Sequence, residues 1–281
     1  MSSNDGTVCL TFDFDAISLW IARSMTSPGP VSRGEFGAYA IPRILRLLSR
    51  HNIMSTFFIP GHTLESYPQE AQWIADAGHE VSLHGYAHEN VSLLTENEER
   101  RINERSIGLI SKLTGSAPKG HRTPSFDFTN QTIKILEELG IEYDSSLMGQ
   151  DYQPYFARSG DTCPPDAPFE FGKLSSVVEM PVSWTLDDYP HLEFVRAKDF
   201  LMPGLADPEI MFRSFARDVE YMIHEEPGGV CVVTLHPQAI GRGGRLLALE
   251  QFIERCLELG ATFDTCLNVS RAKRKELLRN E

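Results

Sequence analysis

The chain lacks any run of about 18 apolar residues, the length a helix needs to cross a bilayer, so no membrane span is expected. It also lacks basic charge: 26 Lys and Arg stand against 39 Asp and Glu, a net charge of −13. Nucleic-acid binders carry basic patches, so this balance argues against that class of partner. A strongly anionic substrate would need a local basic pocket to oppose the overall field. Cysteine is scarce, five in 281 residues, an odd number without a CxxC spacing. A chain this long buries a sufficient core without disulfide staples. Cys9 and Cys231 fall inside apolar runs, where cysteine acts as a small hydrophobe, which fits a reducing compartment. The opening MSSNDGTVCLTFDFD has neither a basic segment nor a long apolar one, so no secretory leader and a cytoplasmic location are expected. No internal repeat, low-complexity tract or dividing linker is visible, and residues 1–281 read as one domain.

What is present is an alternation. Strand-length apolar runs occur at 8–12, 55–59, 80–83, 177–182 and 230–235. Between them lie helical patterns at 40–50, 68–77, 96–113, 130–139, 208–224 and 246–259. Gly78, Gly140 and Gly260 each stand just past such a pattern, and Thr95 with Glu98 spells a capping box. Repeated β-α-β order predicts an α/β fold with a parallel sheet or barrel. Residues 24–39 and 145–176 are rich in Gly, Pro or Ser and are expected to be irregular lid or binding loops. The basic tail 271–279 is expected to be a solvated terminal helix.

The residues that carry chemistry cluster after the strand-like runs. Asp13 and Asp15 end the first run, and residues two apart in an extended chain project to the same side. Such a pair suits one metal ligand and one general base, at the strand end where barrels place active sites. His84 and His88 follow the run at 80–83 and, on a turned backbone, reach one ion together. Two histidines and one carboxylate leave coordination positions open for water and substrate. Arg122, in Gly120-His121-Arg122-Thr123-Pro124-Ser125, would keep a nearby carboxylate ionised and oriented, although alone it reads as a loop arginine. His236 closes the run at 230–235 and has a pKa suited to protonating a leaving amine. Within Ser183-Trp184-Thr185-Leu186-Asp187-Asp188, the tryptophan suits a pocket wall and one aspartate suits a partner for a histidine.

Taken in order, these motifs resemble the polysaccharide deacetylase superfamily, the NodB-homology carbohydrate esterases, from Val8 to about Phe263. The resemblance implies a distorted (β/α) barrel of about seven strands. It implies Asp13 as catalytic base, Asp15, His84 and His88 as ligands of one divalent metal ion per chain, expected to be zinc, Arg122 as the holder of the base and His236 as the general acid. Phe14, Tyr86, Phe126 and Trp184 are candidate pocket aromatics, with Pro124 and Asp187 as further candidate substrate contacts. The chain departs from the usual pattern in one place: Phe14 separates two aspartates that are adjacent in most members. With Ser32-Arg33-Gly34 and Trp184-Thr185-Leu186-Asp187-Asp188, that variant is similar to a cytosolic branch of peptidoglycan-deacetylase-like proteins, cyclic imide hydrolases and allantoinases, often homo-oligomeric. The expected activity is hydrolysis of a non-peptide C–N bond, foremost removal of N-acetyl groups from a sugar. The alternatives are opening of a small cyclic imide or ureide, and a catalytically silent binding protein. The expected partner is a glycan or a small molecule.

Overall fold

The computed structural model describes residues 6–198 and 200–280. Its strands are β1 (Thr7–Asp13), β2 (Thr56–Ile59), β3 (Glu80–Leu83), β4 (Gly120–His121), β5 (Tyr143–Asp144), β6 (Tyr155–Ser159), β7 (Lys173–Glu179), β8 (Val195–Arg196), β9 (Leu201–Met202), β10 (Val230–Leu235) and β11 (Thr262–Phe263). Nine of them form one sheet in the order β10-β1-β2-β3-β4-β5-β7-β6, with β11 also paired to β1. The seven from β10 to β7 run parallel, which matches the expected strand number, and β6 returns antiparallel along β7. β1 and β10 are buried almost throughout because helices cover one face and side chains fill the other, the condition under which parallel strands read as continuous apolar runs.

The ladder itself does not close between β7 and β10. Past β7 the chain continues extended: Met180 donates its N–H to Asp144 O, Val182 to Leu147 O, and Asp187 forms a parallel bridge to Thr234 of β10. Val230 also donates to Tyr152 O at 2.8 Å. The gap is thus spanned by single contacts, and the barrel is distorted there, beside Asp187 and Asp188.

Two expectations need correction. Residues 24–39 are not an irregular loop, because one helix runs from Pro28 to Arg50. Pro28 stands at the first helical position, where a missing N–H costs no hydrogen bond. Gly34 is required by close approach, since a Cβ there would lie 2.7 Å from Ala16 O. The helix therefore lies directly on the backbone that follows Asp15. Residues 145–176 likewise contain a β-hairpin, and the strand expected at 177–182 is β7, shifted towards the N-terminus. Pairing with β6 recruits Lys173–Ser176, largely exposed residues that no apolar run marks.

Other signals hold. The Thr95–Glu98 capping box forms, and Gly78, Gly140 and Gly260 take positive φ past their helices. All five cysteines are unpaired, and all but Cys163 are buried. The tail forms the helix Cys266–Asn280, whose Cys266 and Val269 are buried under the sheet. Among the described residues no helix is long and apolar enough to cross a membrane.

At the opposite end of β3 from the site, His79 is buried and its Nδ1 accepts the Ser55 N–H at 3.2 Å. Burial pushes its pKa down to about 4. The unfolded chain therefore binds the extra proton first, and stability falls as pH drops from about 6.5 towards 4. Urea titrations at pH 7 and 4.5 should show the parent losing about 2–3 kcal/mol more than His79→Asn, whose Oδ1 can accept the same N–H. An equal loss in both would refute this.

Candidate active site

Asp13 and Asp15 end β1 on its inner side, while Phe14 between them points the other way into the main core. Arg122 follows β4 and is fully buried. Its Nη1 donates to Asp13 Oδ1 and to Thr11 Oγ1, both at 2.8 Å, its Nε to Ser145 O at 2.9 Å, and its Nη2 to Ser145 Oγ at 2.9 Å. The guanidinium lies 4.2 Å over the Phe58 ring. One Asp13 oxygen is thus held by Arg122, and the other faces His84 Nε2 at 3.7 Å and His236 Nε2 at 4.0 Å.

His84 and His88 reach Asp15 through a strained turn. Gly85 and His88 both have positive φ, 65° and 57°. The Glu89 carboxylate accepts the N–H groups of Tyr86 and Ala87, and Gly85 O accepts Ser106 Oγ, so the turn is pinned. Holding a non-glycine residue in the left-handed region costs energy and is characteristic of functional sites. The His84 and His88 rings meet edge-on, with centroids 5.4 Å apart.

Asp15 Oδ1 lies 3.4 Å from His84 Nε2, and Asp15 Oδ2 lies 3.8 Å from His88 Nε2. One ligand atom from each of the three residues falls within 4.8 Å of the others. His84 Nδ1 donates to Arg122 O at 2.8 Å, which leaves the Nε2 lone pair facing Asp15. Asp15 Oδ1 and His84 Nε2 are both buried without a hydrogen-bond partner. Two acceptors in apposition call for a cation or a proton between them, so this donor set fits a divalent metal ion. Burial alone would raise the Asp15 pKa, but His88, His84 and His236 hold it well below the usual carboxylate range. Burial pushes His88 down to about 4, which keeps its imidazole neutral and able to ligate.

His236, just past β10, is oriented from behind. Its Nδ1 donates to Asp188 Oδ1 at 2.8 Å, and its backbone N–H donates to the same carboxylate. Its Nε2 faces Asp15 Oδ2 at 3.8 Å. Burial opposes protonation, yet Asp187 and Asp188 outweigh it and push the pKa up to about 10. Asp187, Asp188 and His236 also lie within ligand range of one another, but the hydrogen bond from Nδ1 occupies the nitrogen a metal would need.

Above these groups lies a cleft of about 450 Å³, partly open to solvent, whose walls include Leu19, Arg23, Phe126, Trp184, Tyr189 and Met202. Trp184 packs on Phe126, centroids 4.7 Å apart, and Asp187 also lines the cleft. Of the other candidate contacts, Phe14 is in the core and Pro124 is buried against Gly85. Tyr86 turns away from the cleft, donating to Glu65 Oε2 under the Arg105 guanidinium. Ser145, Gln238, Arg23 and Tyr189 carried no motif signal. Gln238 donates to Asp15 Oδ2 at 3.3 Å, from the short helix Pro237–Ile240 packed on the helix Pro28–Arg50.

Residues 2–143 match the model of the polysaccharide deacetylase family. The peptidoglycan deacetylase of Helicobacter pylori is 34% identical over 255 residues, covering 86% of this chain and 87% of that one. A solved Mycobacterium smegmatis structure, assigned to the polysaccharide deacetylases, superposes with a TM-score of 0.84 at 31% identity, over 98% of this chain and 92% of that one. An allantoinase structure superposes at 0.74 with 19% identity, over 96% and 90%, a likeness of fold alone. With 34% identity sustained over most of both chains and a family model matched from the first strand to the fifth, this chain belongs to the polysaccharide deacetylase family.

Proposed function

We propose that this chain is a metal-dependent amide hydrolase that removes N-acetyl groups from an amino-sugar substrate. The observation that carries the reading is the apposition of two orphaned acceptors, Asp15 Oδ1 and His84 Nε2, beside a carboxylate tied to a buried arginine. Asp15, His84 and His88 would hold the ion. Two imidazoles and one carboxylate are a zinc set with open positions, so zinc is the metal proposed. When bound, the ion supplies a Lewis acid that favours deprotonated water and polarises a carbonyl.

The chain's own groups then divide the proton work. Asp13, with one oxygen on Arg122, presents the other as a base towards the cleft. His236 carries its proton at neutral pH and has Nδ1 committed to Asp188, so Nε2–H is the group that can protonate a departing nitrogen. Trp184 and Phe126 form an apolar wall suited to a sugar face or an acyl methyl. The same proposal takes residues 1–281 as one domain. Four buried free cysteines favour a reducing, cytoplasmic setting, and exposed Phe200, Leu201 and Leu205 beside β9 favour a homo-oligomer.

The deciding assay compares N-acetylglucosamine oligomers with small cyclic imides, using zinc-reconstituted protein. Acetate release from the oligomers is expected; turnover of the imides alone would replace this reading with ring opening. Removing the metal should abolish turnover, and Asp15→Ala should lower metal content well below one ion per chain. Full activity in metal-free protein would sink the scheme. Asp13→Asn should keep its metal while losing about 10²–10⁴-fold in kcat. Asp188→Asn should lower kcat by about 10–100-fold with little change in KM, because His236 loses the acceptor that fixes its ring. A change in KM alone would remove Asp188 from that role.

A further inference from the structure

One arginine lines the cleft of this acidic chain. Arg23 follows the short helix Ser18–Ala22, and its half-buried side chain lines the cleft together with Asp13, His88 and His236. Nη1 donates to the Tyr189 hydroxyl at 2.9 Å, and the guanidinium lies 5.3 Å from the Tyr189 ring centroid and 5.9 Å from that of Trp20. The Tyr189 ring is in turn 5.0 Å from the His236 ring. Arg23 is therefore two contacts from the imidazole that faces the carboxylates. Among the described residues it forms no ion pair, and its Nε and Nη2 donate to none.

Positive charge continues beyond Trp20. Arg33 lies 4.6 Å over the same ring and shares the buried Glu193 carboxylate with Arg245. Arg242 stacks 3.5 Å over Phe36, and Arg43 donates to the Tyr39 hydroxyl and to Gly241 O. Arg33, Arg43, Arg242 and Arg245 thus lie around Glu193, outside the cleft lining.

A guanidinium held between aromatic faces is already oriented and partly desolvated, so a carboxylate can dock on its free edge at little entropic cost. Among the described residues Arg23 is ion-paired to none of the cleft carboxylates, since Asp187 faces His236. The catalytic carboxylate Asp13 has Arg122, and His236 has Asp188.

We propose that Arg23 selects the substrate by charge, and that the cleft takes an N-acetylated amino sugar carrying a carboxylate close to the acetamido group. What is cleaved rests on the amide-hydrolase reading above, whereas the charge selection can be measured without turnover.

The test is calorimetric binding of N-acetylmuramic acid and of its methyl ester to the zinc-loaded protein. The acid should bind about tenfold or more tightly than the ester, the range of a charge-assisted hydrogen bond. That ratio should shrink at high salt, fall towards one in Arg23→Gln and return in part in Arg23→Lys. Melting temperatures check that both variants fold. Should Arg23→Gln fail that check, the parent's acid-to-ester ratio and the Arg23→Lys arm decide. Equal affinity for acid and ester, no binding of the acid at millimolar concentration, or an unchanged ratio in folded Arg23→Gln each overturns the proposal. Preference for the acid without cleavage of any N-acetyl sugar would sink the hydrolase reading and leave the charge selection standing.

Discussion

The buried guanidinium of Arg122 is the constraint on which the site depends. A fully buried cation is costly unless its donors are matched, and here four hydrogen bonds tie it to Thr11 and Asp13 of β1 and to Ser145 just past β5. Arg122 itself extends β4, and its carbonyl accepts His84 Nδ1 past β3. One side chain and its own peptide therefore hold the C-terminal ends of β1, β3, β4 and β5 in register. The two carboxylates can sit side by side without mutual repulsion because Asp13 faces this cation and Asp15 faces imidazoles.

Phe14 shows how the strand period shapes that arrangement. Alternation puts Asp13 and Asp15 on the inner side and sends Phe14 into the opposite core, near Tyr67. Adjacent aspartates would point apart on a regular strand, so the inserted phenylalanine gives both carboxylates the same face without distortion. The strain appears elsewhere, at Ala16, His88, Ser125 and Phe126, all with positive φ and all in the loops that follow the strands. Rigid strands deliver the motif side chains to the rim, and short unfavourable turns re-aim them.

Much of this was legible before the fold. β3 and β10 coincide with their apolar runs, because strands buried on both faces leave that signature. The six motif residues, spread from Asp13 to His236, lie in one cluster at a single end of the sheet. What was hidden depended on distant partners. Gly34 and Pro28 look like loop residues until Ala16 is seen against the helix. β4 and β5 have two residues each and no periodicity to read. Tyr86 sits inside the histidine motif, yet Glu65 and Arg105 draw its side chain outward. Chemistry concentrated in short motifs can be read locally, whereas a pocket wall is made by whichever residues the loops bring across.

The proton inventory follows from the same pairing logic. Asp13 has a permanent cation on one oxygen and presents the other towards the cleft. His236 has carboxylates behind it, which favour its protonated form. Asp187, with burial dominant, is pushed up to about 7 and shares this second cluster with Asp188. In the proposed scheme, base and acid would be distinguished by the charge placed behind each one rather than by residue type. A substrate that brings a negative charge would meet these groups already compensated. Arg23 on the wall, without an ion pair among the described residues, is the place proposed for that charge.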